Sequence, residues 1–189
     1  AQSAIGADDE QLMMLTQPRS PEAEAYRQVR TNIQYVGISR DVKSILVTSA
    51  NAGEGKSTTA TNLAVALAQA GHQIVMIDTD LRRPTLHHYF QVTNNHGLTN
   101  LLLDKDGDIE DFLQETGVAN LRLLTSGPLP PYPADLLGSE RMQHILTQLS
   151  NMVDYAILDS PPILAVTDAV LLSQKVSTTL MVVEAGKTR

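Results

Sequence analysis

The chain has 189 residues, 42% of them hydrophobic and 19% charged, enough for one well-buried core and a single domain. Its 14 basic residues against 21 acidic give a net charge of −7, which argues against wholesale electrostatic binding to nucleic acid or an anionic membrane. Cysteine is absent, which removes disulfides and thiolate metal sites, and no apolar run approaches the ~20 residues of a membrane span.

Residues 1–19 are polar, with an acidic cluster at Asp8, Asp9 and Glu10 and a short apolar patch from Leu12 to Leu15. They read as a linker or N-terminal arm, without the basic-then-apolar layout of a signal peptide. Residues 20–189 read as one further domain. Ser20 can cap a helix that has Pro21 at its first position and Glu22 and Glu24 in its first turn, and the pattern carries it to about Tyr35.

From there strand and helix signals alternate. Strands are expected at Ser44–Ser49, Gln73–Asp78, Leu121–Thr125, Asp154–Asp159 and Thr178–Val183, all rich in Ile, Val and Leu and mostly without polar alternation. Strands of that kind are buried on both faces. Helices are expected at Ser57–Ala70, Leu98–Leu103, Ile109–Gln114, Ser139–Leu149 and Thr167–Gln174. A rigid loop with Pro128, Pro130, Pro131 and Pro133 precedes a short helical piece, Ala134–Leu137. The βαβαβ order predicts an α/β fold, a mostly parallel central sheet flanked by helices on both faces, with ligands beyond the carboxyl ends of its strands. The chain begins without Met and stops at Arg189 just after an apolar run, so a longer parent protein is expected.

Between the strand at 44–49 and the helix at 57–70 lies Ala50-Asn51-Ala52-Gly53-Glu54-Gly55-Lys56-Ser57. Gly53 and Gly55 can let successive backbone N–H groups point around a phosphate chain, and the following helix offers its positive end to the same anion. Lys56 would then reach the β- and γ-phosphates and Ser57 would ligate Mg²⁺. This is the layout of a P-loop NTPase, with Ala50 in place of the first glycine.

Two further strands end in acids. Asp78 and Asp80 lie two residues apart, and extended residues at that spacing share a face. If their strand lay beside the cradle strand, both carboxylates would face the γ-phosphate, one organising Mg²⁺ and its waters and one accepting a proton. Asp159 closes the strand Tyr155-Ala156-Ile157-Leu158-Asp159, a place suited to holding the metal's water shell. Asp168 reads equally as a site-facing acid or a helix cap, and Arg82 and Arg83 as phosphate contacts or salt-bridge partners. His87 and His88 are adjacent, and neighbouring helical positions diverge too far to chelate one ion.

The phosphate loop, Asp78-Thr79-Asp80-Leu81-Arg82-Arg83-Pro84 and Asp159-Ser160-Pro161-Pro162 resemble the Walker A, Walker A′ and Walker B motifs of the bacterial tyrosine kinases of capsule and exopolysaccharide export. Glu24-Ala25-Tyr26-Arg27-Gln28-Val29-Arg30-Thr31-Asn32 resembles that family's arginine helix, and Pro130 to Leu137 its proline-rich loop. The resemblance implies an ATP- and Mg²⁺-dependent tyrosine kinase. In it Ala52, Gly53, Glu54, Gly55, Lys56, Ser57 and Thr58 hold the nucleotide. Asp78 acts as base toward a tyrosine hydroxyl, Asp80 and Asp159 order the metal and its waters, and Ser57, Asp78 and Asp159 stand at the metal.

It further implies that Glu24, Arg27 and Arg30 dock one protomer beside the next in a homo-oligomeric ring. The acceptor would be the tyrosine-rich C-terminal tail of a neighbouring protomer. A fused or separate transmembrane activator would hold the domain at the inner face of the bacterial membrane. From spacing alone, the same helix reads as a solvated salt-bridged face. The five tyrosines are scattered, and the chain stops before any cluster. Two other functions fit the loop. One is a partitioning ATPase of the deviant Walker type, whose signature lysine would stand where this chain has Asn51. The other is a scaffold that binds ATP only to assemble.

Overall fold

Five short apolar segments and one polar pair, Gln114–Glu115, join into one sheet of order β3-β4-β2-β5-β1-β6 in the computed structural model, which describes residues 12–186 and 188. The strands are β1 (Ser44–Ser49), β2 (Ile74–Asp78), β3 (Gln114–Glu115), β4 (Leu121–Leu124), β5 (Tyr155–Asp159) and β6 (Thr178–Val182). Five run parallel, and the two-residue β3 is antiparallel to β4. The α-helices are α1 (Met13–Thr16), α2 (Pro21–Ser39), α3 (Lys56–Gln69), α4 (Leu86–Tyr89), α5 (Leu98–Leu103), α6 (Pro133–Gly138), α7 (Glu140–Met152) and α8 (Asp168–Ser173).

The period of two along each strand builds two cores. Ile45, Val47, Ile74, Met76, Leu123 and Ile157 pack on one side, under α2 and α3. Leu46, Val75, Ile77, Leu124, Ala156 and Leu158 pack on the other, under α5, α6, α7 and α8. This is the expected α/β architecture with helices on both faces.

Helix ends follow their caps. Ser20 accepts the Ala23 N–H at 3.1 Å with Pro21 at the first position of α2, and Ser139 accepts the Met142 N–H at 3.2 Å at the start of α7.

The structure departs from the sequence reading at 109–114 and at β6, and it decides the strand order left open there. β2 does not lie beside β1: α3 carries the chain across β5, so Asp159 stands between the phosphate loop and Asp78. Helix at 109–114 is replaced by a 3₁₀ turn, Ile109–Phe112, because Gln114 and Glu115 leave to pair with β4.

β6 is not buried on both faces. It is an edge strand with Leu180 and Val182 turned to the core and Met181 44% exposed. Within the segment read as a linker or arm, Leu12–Thr16 packs on the fold: Leu12 and Met14 are buried and the Met14 N–H donates to Asn62 Oδ1 on α3 at 3.0 Å. The acidic cluster at Asp8, Asp9 and Glu10 lies outside the described residues.

Candidate active site

Parallel pairing brings the carboxyl ends of β1, β5 and β2 to one edge of the sheet. Val47, Asp159 and Asp78 form a row across those three strands. Beyond β1 the chain turns through Gly53 at φ +84° and Gly55 at φ +81°, left-handed conformations that glycine adopts without a Cβ penalty. Gly55 is the N-cap of α3, and its carbonyl accepts the Thr59 N–H at 2.8 Å.

Glu54 closes this loop on itself. Its carboxylate accepts the Asn51 N–H at 3.0 Å, the Asn51 side-chain amide at 3.2 Å and the Thr188 hydroxyl at 2.6 Å. The Asn51 backbone bond leads the interactions that hold Glu54 below the usual carboxylate range. The Glu54 side chain is thus occupied in shaping the loop.

At the first turn of α3, Lys56 Nζ lies 3.0 Å from Ser57 Oγ, 3.5 Å from Asp159 Oδ1 and 3.6 Å from Asp80 Oδ2. The Ser57 hydroxyl donates to Asp159 Oδ2 at 2.6 Å. Thr58 Oγ1 is 2.9 Å from the Tyr89 hydroxyl of α4, a contact across 31 residues that no local pattern signals. Lys56, Ser57, Asp80 and Asp159 therefore form one cluster, with Asp159 fully buried.

Asp78 is set apart from that cluster. Its Oδ2 accepts the Thr85 and Leu86 N–H groups at 3.0 Å each, and its Oδ1 accepts the Asp80 N–H at 3.3 Å. The carboxylate thus ties the end of β2 to the start of α4, and Lys56 pairs with Asp80 instead. Burial, reinforced by the charge of Asp159, pushes Asp78 up to about 8, against the two N–H bonds that favour its anion. Burial likewise pushes Asp159 up to about 6, opposed by Lys56 and the Ser57 hydroxyl.

Asp80 is aimed by its own turn. Its Oδ1 accepts the Arg83 N–H at 2.9 Å and the Arg82 N–H at 3.3 Å, which leaves Oδ2 toward Lys56. Arg82 forks onto Asp168, with Nε to Oδ2 at 2.9 Å and Nη2 to Oδ1 at 3.0 Å. Asp168 is therefore neither a helix cap nor an acid open to the site.

Glu24, Arg27 and Arg30 lie away from this cluster on α2. Arg27 pairs with Glu24 at 3.1 Å and donates to the Pro18 carbonyl at 2.6 Å, while Arg30 donates to the Ala66 carbonyl of α3 at 3.3 Å. They line a surface groove of about 340 Å³ with Gln28, Thr31 and Asn32. Among the described residues no three His, Asp or Glu side chains gather into an all-protein metal site. The His87 and His88 rings lie side by side, tilted by 39° with centroids 3.9 Å apart.

A protein-family profile described as an AAA domain matches residues 42–185. The tyrosine-protein kinase YwqD of Bacillus subtilis is 45% identical over 94% of this chain and 74% of its own length. This chain belongs to the bacterial tyrosine kinase family. The kinase domain of the Escherichia coli tyrosine kinase ETK superposes with a TM-score of 0.88 at 31% identity, over 96% of this chain and 69% of that one. The cell division ATPase MinD of Pyrococcus furiosus shares the fold alone, with a TM-score of 0.63 at 24% identity over 74% of this chain and 58% of that one.

Proposed function

We propose that this kinase domain transfers the γ-phosphoryl group of ATP to tyrosines on the C-terminal tail of a neighbouring protomer. The observation that carries the reading is Lys56, held by Ser57, Asp80 and Asp159 at the one sheet edge where three strand ends converge.

Phosphoryl transfer passes through a loose transition state, so positioning and charge neutralisation outweigh covalent chemistry. Lys56 supplies the mobile cation for the β- and γ-phosphates. Its present partners are the Ser57 hydroxyl and two carboxylates, and an incoming triphosphate would replace the carboxylates with other anionic oxygens. The backbone of Ala52, Gly53, Glu54 and Gly55 forms the cradle, and Thr58 braces it through Tyr89.

The donor set suits Mg²⁺. A hydroxyl and a buried carboxylate 2.6 Å apart are hard oxygen ligands, and a cation shared with nucleotide phosphates and waters needs no protein cage. Ser57 and Asp159 would hold the ion, which would neutralise charge developing between the β- and γ-phosphates. Asp80 would accept hydrogen bonds from its waters. By the resemblance, Asp78 is the candidate to receive the tyrosine proton, which it does only as the anion, the form that the Thr85 and Leu86 N–H groups favour and burial opposes.

The partitioning ATPase is less well supported. Asn51 stands where that class needs a lysine, and it is spent on the Glu54 carboxylate. By its resemblance, the domain acts in capsular or extracellular polysaccharide synthesis, as a ring through Glu24, Arg27 and Arg30, under a transmembrane activator at the inner membrane face. No helix among the described residues is long and apolar enough to cross a membrane itself.

The decisive assay incubates the domain with labelled ATP, Mg²⁺ and an isolated tyrosine-rich peptide. Phosphotyrosine that vanishes in Lys56→Met supports the kinase. Free phosphate without phosphotyrosine supports the ATPase, and neither product, with nucleotide-dependent rings, supports the scaffold.

A further inference from the structure

We propose that Asp168 is a positioning residue for phosphoryl transfer, acting through Arg82 to hold Asp80 against Lys56. The inference rests on the kinase reading above and assigns work to a residue outside its three motifs.

Asp168 is fully buried, and both of its oxygens are committed to the Arg82 guanidinium, 86 residues earlier in the chain. It opens α8 without capping it, and the cap residue Thr167 makes no side-chain cap bond either. A buried carboxylate with one bidentate partner fixes that partner's position, because releasing it would strand the charge away from water.

What Arg82 fixes is the turn that aims Asp80. The Arg82 and Arg83 N–H groups hold Asp80 Oδ1, and the opposite oxygen meets Lys56 at 3.6 Å. The path is therefore continuous: Asp168 to the Arg82 guanidinium, the Arg82 backbone to Asp80, and Asp80 to Lys56. Asp168 also lies nine residues beyond Asp159, so the clamp joins the segments leaving β2 and β5. Those two segments carry the acids around Lys56. A lysine at position 82 would keep the charge but lose the planar fork, and with it the fixed orientation of the turn. Small misplacements of this kind can cost on the order of a hundredfold in rate.

The test compares wild type, Arg82→Lys, Asp168→Asn and the double variant Arg82→Met/Asp168→Asn. Assays are run below the unfolding midpoint of each protein. Three quantities are measured: kcat and KM for ATP with a tyrosine-rich peptide, and the Mg²⁺ concentration that half-saturates binding of a fluorescent ADP analogue.

The expected result is a tenfold or greater fall in kcat for both single variants, with KM for ATP within about threefold. Half-saturating Mg²⁺ should rise several-fold, and the double variant should be no worse than the weaker single one. A folded Arg82→Lys with wild-type kcat and wild-type Mg²⁺ dependence overturns the proposal, as do losses that simply add. If wild type itself makes no phosphotyrosine, the kinase reading fails instead. The Mg²⁺ dependence of ADP binding then decides the clamp by itself.

Discussion

Asp78 and Asp159 are register partners at the ends of neighbouring parallel strands, both fully buried, and among the described residues only Asp159 of the two has a cation against it. Two carboxylates so placed cannot both ionise cheaply. The one without a lysine is displaced further, to about 8 against about 6 for its neighbour.

This asymmetry predicts how the nucleotide-free domain responds to pH. Asp78 holds its proton in the folded state up to about 8, whereas an ordinary aspartate releases it near 3.8. Between those values the folded state binds more protons, so stability is greatest at the acid end of that window and declines as pH rises through about 8. Thermal unfolding without nucleotide should show a lower midpoint at pH 9 than at pH 6. Asp78→Asn, which cannot ionise, should flatten that decline, and an equal slope in wild type and variant would contradict it.

Lys56→Met should abolish phosphotyrosine formation while leaving the domain folded. Loss of one preorganised charge at a transition state costs about 3 to 4 kcal/mol, or a hundredfold to a thousandfold in kcat. Folding survives because Asp159, already raised by burial, takes up a proton when its cation is gone. Circular dichroism and the peptide assay on one preparation read both outcomes.

Arg27→Ala/Arg30→Ala should cost assembly far more than stability. The Arg27–Glu24 pair has side chains 30% and 59% exposed, and an exposed pair of this kind contributes well under about 1 kcal/mol. Light scattering behind a sizing column should give a smaller mass than wild type at an unfolding midpoint lowered by only a few degrees. An unchanged mass would remove α2 from the interface.

The short helix α1 should prove integral to the fold. Met14 is 1% exposed against α3, and Met14→Ala should destabilise by about 2 to 4 kcal/mol through lost burial and the cavity left behind. Denaturant unfolding measures the change, and a loss below about 0.5 kcal/mol would mean that the segment merely rests on the surface.

The sequence by itself determined the alternation of elements and the chemistry of the loop at 50–57. Both are written in local terms: short runs of Ile, Val and Leu, Ser20 and Ser139 before helices, and two glycines ahead of Lys56 and Ser57. The bounds of β1 and α5 match those of the segments read from sequence, Ser44–Ser49 and Leu98–Leu103.

Tertiary structure alone decided which acid meets which cation. Strand order is a long-range matter, set by where α3 packs as it crosses the sheet, and it inserted β5 between the phosphate loop and Asp78. Asp80 could not be distinguished from Asp78 by spacing, because their division of labour depends on backbone N–H groups of residues 82 to 86 that a turn brings back. The Arg82–Asp168 fork and the docking of Met14 on Asn62 span 86 and 48 residues, distances over which periodicity carries no signal. Local pattern fixes what each segment can form, and burial of charge in the assembled sheet fixes what each side chain must hold.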